Sequence, residues 1–143
     1  MGESQHDREG DTYLSAIRPA EYEALLECTR ENVECGNSAI MVAPFIRKLG
    51  DPAWCRTAAA GFGGLGAVIH AVWVHCDAES MRTRLAHRGA ARDSSKLANW
   101  DRYLEGVDLG YTPAMPHTVM HNSPSSVPLR AQAGRLLASL SVI

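Results

Sequence analysis

The chain has 143 residues, 45% of them hydrophobic and 21% charged, with a net charge of −2 at pH 7. That length suits one domain with a real core, and the composition is that of a globular protein, neither disordered nor fibrous. So small a net charge argues against a general nucleic-acid coat protein, which is strongly basic.

The start, MGESQHDREGD, is hydrophilic, so it is neither a signal peptide nor a membrane span, and residues 1–13 read as a polar tail. No later run is long enough to cross a bilayer. Pro19 opens a helix on which Tyr22, Leu25, Leu26, Thr29 and Val33 keep helical spacing, and Gly36 stands where a left-handed residue would end it. SAIMVAPF (38–45) is an unbroken apolar run, as a parallel strand covered on both faces requires. DPAWCRTAAAGFG reads as a short helix and AVIHAVWV (67–74) as a second buried strand. Asp77 is placed to cap the next helix, which carries Met81, Leu85 and the first arginines. Asp93 is placed to cap another, with Leu97, Trp100, Tyr103 and Leu104 on one face. A loop rich in Gly and Pro covers 106–116, HTVMH (117–121) is a third strand, and PLRAQAGRLLASL closes the chain as an amphipathic helix. Strands alternating with helices imply an α/β fold with a parallel sheet. Three such strands make a thin sheet with exposed edges, as if a neighbour were missing.

Charge is distributed unevenly along this order. Residues 1–70 carry 6 Lys/Arg against 10 Asp/Glu, and residues 71–143 carry 8 against 6. Within RTRLAHRGAARDSSKLANW (82–100), Arg84, Arg88, Arg92 and Lys96 stand four apart, a spacing at which like charges on a helix repel. Ligands of open parallel sheets bind beyond the carboxyl ends of the strands, here Pro44–Arg47, His75–Asp77 and His121–Ser123. An arginine row leaving one of those ends suits a polyanion, most simply the phosphates of a nucleotide. The competing reading is a solvated helix face paired with Asp93, Asp101 or Glu79. Gly89 is either a hinge between two lid helices or a C-cap.

Other signals carry less weight. GFGGLG (61–66) matches G-x-G-x-x-G but follows a helix and precedes a strand, the reverse of the dinucleotide context. His117 and His121 lie four apart on a strand, without the H-E-x-x-H glutamate. His75, Cys76 and Asp77 are explained by strand-end packing and helix capping, and the three tryptophans read as core. Cys28 and Cys35 read as core or groove residues. All four cysteines are expected as reduced thiols, without an export signal, which points to a cytoplasmic location.

The blocks EYEALLECTRENVECGNSAIMVAPF, DPAWCRT, VWVHCD, RLAHRGAARDSSKLANWDRYL and HTVMHNS resemble successive segments of small bacterial P-loop ATPases. These are AAA-family proteins predicted to be small-molecule kinases, related to the gluconate- and shikimate-kinase group, and the resemblance covers roughly residues 14–143. It implies a three-layer parallel α/β sheet of the P-loop kinase type, ATP with Mg2+, and phosphoryl transfer to a small molecule. Residues of about 82–105 would be the lid. Arg84, Arg88 and Arg92 would be its catalytic cations, with Arg88 and Arg92 on the ATP phosphates. Asn122 and Ser123 would line the adenine pocket, and Phe45 and Arg47 would sit beside the acceptor. In relatives the strand before Phe45 carries a Walker B acid; here it reads Ala-Pro-Phe, so no metal ligand is assigned. The chain also has no G-x-x-x-x-G-K-[ST], since Lys48 and Lys96 are its only lysines and neither stands in that pattern. The family's first strand, phosphate loop and first helix would precede residue 1, leaving the fold incomplete at the N-terminus. Either the chain is a fragment, or it is a degenerate relative without its catalytic loop. The expectation is weak nucleotide binding with little turnover. The alternative is a non-catalytic binding or assembly module that self-associates, as a homodimer, through an exposed sheet edge. Nucleic acid is disfavoured as a partner by the acidic remainder.

Overall fold

A computed structural model of the chain describes residues 13–140, so the expected polar tail falls almost wholly outside the described residues. Two compact units are present. The first runs up to Lys48 and resumes over Ala53–Ile69; the second comprises Leu49–Pro52 and the chain from His70 onward.

In the first unit a π-helical turn (Tyr13–Ile17) leads into α1 (Arg18–Glu34), with Pro19 in its first turn, where a missing N–H costs nothing. Buried Thr29 returns its hydroxyl to the Leu25 carbonyl at 2.8 Å. Gly36, at φ 80°, ends the helix in the left-handed conformation open to glycine, and its N–H reaches the Val33 carbonyl. A single turn, α2 (Ile46–Leu49), precedes α3 (Pro52–Gly63), which buries Cys55 and Phe62. Phe45 packs edge-on to Tyr22 at 5.2 Å and is stacked near Trp54 at 6.3 Å, while the Tyr22 hydroxyl donates to the Pro44 carbonyl.

The segment expected as a first strand, 38–45, forms none. It is irregular, bending at Ala43, whose carbonyl accepts the Phe45 N–H at 2.9 Å, and its exposure alternates, with Met41, Ala43 and Phe45 half-buried and Ile40 and Val42 outward at 91% and 86% exposure. The apolar pattern is a strand's pattern, but a strand is completed by a neighbour's N–H and C=O groups. Among the described residues no second strand lies alongside it.

The second unit holds the sheet. β1 (Ala71–His75) begins four residues later than expected and pairs in parallel with β2 (His117–His121), from Ala71 opposite His117 to His75 opposite His121. The fold is therefore mixed α/β around a two-stranded parallel sheet; the third strand is not formed among the described residues. Parallel sheets are ordinarily covered on both faces, yet Val72 and Val74 on one face and Val119 on the other remain exposed.

Between the strands come α4 (Ala78–Arg88), a 3-10 turn (Ala91–Asp93), α5 (Ser94–Ala98) and α6 (Trp100–Glu105). One helix was expected over the last two. It breaks at Asn99 (φ −123°, ψ 50°), whose side-chain amide donates to the Ser95 carbonyl at 3.1 Å, the local competition that asparagine offers a helix. Trp100, Pro113 and Met120 are the buried apolar residues described in this unit. The chain closes with α7 (Leu129–Leu140). From it, Gln132 accepts the His121 N–H at 3.0 Å through Oε1 and donates through Nε2 to the His121 carbonyl at 2.8 Å and to the Val127 carbonyl.

Candidate functional site

Because β1 and β2 run in the same direction, their carboxyl ends form one edge. His75 and His121 stand there in register, rings edge-on at 5.6 Å, and the Asn122 N–H extends the ladder to the His75 carbonyl. Asp77 follows β1 and caps α4: Oδ1 accepts the Ser80 N–H at 2.8 Å and Oδ2 accepts the Ser80 hydroxyl at 2.7 Å. Oδ2 also accepts the hydroxyl of Ser123, from the loop after β2, so one carboxylate fastens the start of α4 to that loop. An open cleft of about 450 Å3 lies here, with Asp77, Glu79, Thr83 and Arg84 on one side and Pro124 and Ser125 on the other. That volume falls in the range of small-molecule sites.

Donors aimed at Asp77, the Ser123 hydroxyl foremost and then the Ser80 amide and hydroxyl, hold its carboxyl far below the usual carboxylate range. A depressed folded-state pKa contributes stability that is complete above the unfolded value and is lost as pH falls toward the folded one. Thermal melts of the wild type and Asp77→Asn are therefore expected to differ most at neutral pH. The difference should shrink below about pH 4, the ordinary carboxylate value. A gap independent of pH would show that the charge on Asp77 is not what the hydroxyls recognise.

The arginine row does not stand as a repelling array. Arg82 lies over the Trp100 ring at 5.7 Å, and Arg84 Nη1 reaches the Cys76 sulfur at 3.5 Å. Arg88 closes on Asp93, donating through Nε at 2.8 Å and through Nη2 to the same oxygen. Lys96 Nζ stands 4.0 Å from the other oxygen of Asp93 and 5.6 Å from the Tyr103 ring centroid. Gly89 makes this arrangement: at φ 61° it is a C-cap, ending α4 directly after Arg88 and returning the chain so that Asp93 comes back to it. Asp93 makes no side-chain cap to α5, contrary to expectation, because both faces of its carboxylate are turned to cations. It is 1% exposed, the most deeply buried side chain described. Arg92 is exposed and has no hydrogen bond or ion pair among the described residues.

A family model described as an AAA domain matches residues 1–109. The chain belongs to this AAA-domain family. No curated protein and no solved structure matches it. The AAA domain is of the P-loop NTPase kind, so the resemblance read from the sequence holds at that level, and the matched span contains α4 and the whole arginine row.

The residues expected at the AAA-domain site are only partly brought together. Arg84 lines the cleft and Ser123 is bonded to Asp77 on its wall, with the half-buried Asn122 next to it. Arg88 and Arg92 do not line that cleft. Phe45 and Arg47 belong to the first unit, where Phe45 packs between aromatic rings and Arg47 is exposed. Cys28 and Cys35, read as core or groove residues, are exposed free thiols. Of the expected core tryptophans only Trp100 is buried; Trp54 and Trp73 are half-exposed. Cationic donors suit the phosphates of a nucleotide. Asp77, hydrogen-bonded to serines, and Glu79 are the carboxylates lining this cleft and are what Mg2+ would meet there, while Ala43–Phe45 in the first unit offers no acid. The competing reading, cations paired with Asp93, holds for Arg88 and Lys96; sequence reading missed the burial of Asp93 and the role of Gln132. The burial of Asp93 was signalled by an acid placed four residues beyond a helix-ending glycine; the bonds of Gln132 to the backbone of β2 had no local signal.

Proposed function

We propose that this chain is a nucleotide-binding domain of the P-loop kinase type, from a group related to gluconate and shikimate kinases. The family reaction would be transfer of the ATP γ-phosphoryl to a small molecule. The observation that carries this reading is the AAA-domain match over residues 1–109, which takes in the arginine row at the ligand edge of the sheet. In such a reaction catalysis is positioning and charge neutralisation, and cations on the lid segment of about 82–105 serve it. With no G-x-x-x-x-G-K-[ST] in the sequence, the chain by itself is expected to bind ATP weakly and to turn over far below the ordinary kinase range of about 1–100 s−1. Arg84→Ala should weaken ATP binding about tenfold, the worth of one charge-assisted contact. Stability should stay within about 0.5 kcal/mol, as for exposed substitutions. Calorimetric titration beside thermal melts decides it. Turnover in the kinase range would overturn the inactive assignment, and unchanged ATP affinity in Arg84→Ala would remove the cleft from the site.

Exposure of Ile40, Val42 and Val68 favours a second reading, self-association by strand pairing. Sedimentation velocity at micromolar concentration should show dimers that Val42→Lys disperses. A monomer in both proteins ends this reading.

A further inference from the structure

We propose that Arg88 and Lys96, gathered by the buried carboxylate of Asp93, are the phosphate-receiving pair of this domain, with Asp93 as their positioning residue. This rests on the nucleotide-binding reading and adds to it a cation and an anion that the resemblance does not assign. Asp93 is 1% exposed, whereas the side chains of Arg88 and Lys96 are 48% and 33% exposed. A ligand from solvent therefore meets the two cations and not the carboxylate behind them. Arg88 spends two of its five N–H donors on Asp93 and keeps three; the ammonium of Lys96 has three. One negative charge holding two positive ones lets the cations stand near each other with a net charge of +1 before any ligand arrives, which lowers the ordering cost of binding an anion.

The pair is also incomplete in a telling way. Oδ1 of Asp93 is buried and has no hydrogen-bond partner, and Lys96 stands at 4.0 Å, an ion-pair distance too long for a hydrogen bond. A phosphate bridging Arg88 and Lys96 would bring the ammonium inward, where one of its N–H groups satisfies Oδ1 while the others hold the ligand. Arg92 has no such backing, and Arg82 is spent on the Trp100 face.

The probe is inorganic pyrophosphate, titrated into the full chain and followed by calorimetry or phosphorus NMR, with melting curves in parallel. Lys96→Gln should weaken binding about tenfold, and Lys96→Arg should restore most of it. Arg92→Gln should cost less than Lys96→Gln. Asp93→Asn decides by sign. It makes the chain more positive, so bulk electrostatics alone would tighten anion binding, whereas loss of positioning weakens it. Tighter binding in Asp93→Asn overturns the proposal and makes the carboxylate a competitor for Arg88. Equal effects of Lys96→Gln and Arg92→Gln overturn it too, and this comparison stands alone if Asp93→Asn does not fold. A wild type that binds no pyrophosphate overturns the nucleotide-binding reading along with this one. A wild type that binds, with Lys96→Gln unchanged, overturns the pair only.

Discussion

Arg88→Ala is expected to destabilise the second unit by about 3 kcal/mol, at the lower end of the cost of breaking a buried ion pair. The cost arises at the partner. Asp93 is 1% exposed and would lose both donors on Oδ2, leaving Lys96 at 4.0 Å as its remaining counter-charge. That residual partner sets the effect below the full range. Arg88→Lys should recover only part of the loss, because an ammonium keeps the charge without the planar fork that places two N–H groups on one oxygen. Arg92→Ala, at an exposed position four residues on, should stay within about 0.5 kcal/mol. Denaturant unfolding of the three variants tests this. Equal stability in Arg88→Ala and Arg92→Ala would mean that Lys96 alone neutralises Asp93.

The largest loss is expected from Trp100→Ala, about 3–5 kcal/mol by the measure of large aromatic truncations in cores. Trp100 is the largest buried apolar residue described in its unit, packs on Tyr103 at 5.4 Å and carries the Arg82 guanidinium on its face. Small domains have only about 5–15 kcal/mol in total, so the variant should lose its sharp unfolding transition near 37 °C. Trp100→Phe should retain most of the stability. Near-ultraviolet circular dichroism and thermal melts read both, and a Trp100→Ala melt superimposed on the wild type would show that this ring is not the centre of the unit.

Helices were the legible part of this sequence. Pro19 and Gly36 bracket α1, Asp77 and Gly89 bracket α4, and each works through its own backbone neighbours, so a local reading reaches it. HTVMH proved to be β2 residue for residue. What failed depended on partners distant in the chain. SAIMVAPF has the composition of a covered strand, but no composition supplies the adjacent ladder, and the run forms no strand among the described residues. At the site, the fourfold spacing of cations was visible and its meaning was not. Like charges repel at that spacing only along one helix, whereas Gly89 ends α4 after Arg88 and places Asp93 among the cations. Arg84 and Arg88 do share α4, and only Arg92 lies beyond its end.

The bonds of Gln132 give the sheet a direction of growth. In a strand the N–H and C=O of one residue point to the same side, and those of His121 are both taken by a single side-chain amide that imitates a peptide unit. The far side of β2 is thus plugged at its carboxyl end, and the only ladder it can offer there is the one already made with β1. Glutamate could accept but not donate, and asparagine is one methylene shorter, so few side chains could serve as this plug. Among the described residues no strand pairs with the other edge of β1, and an additional strand would find its ladder there. An assembly that enlarges the sheet should therefore extend it from β1, since on β2 the Gln132 amide stands in the place of a neighbour at His121.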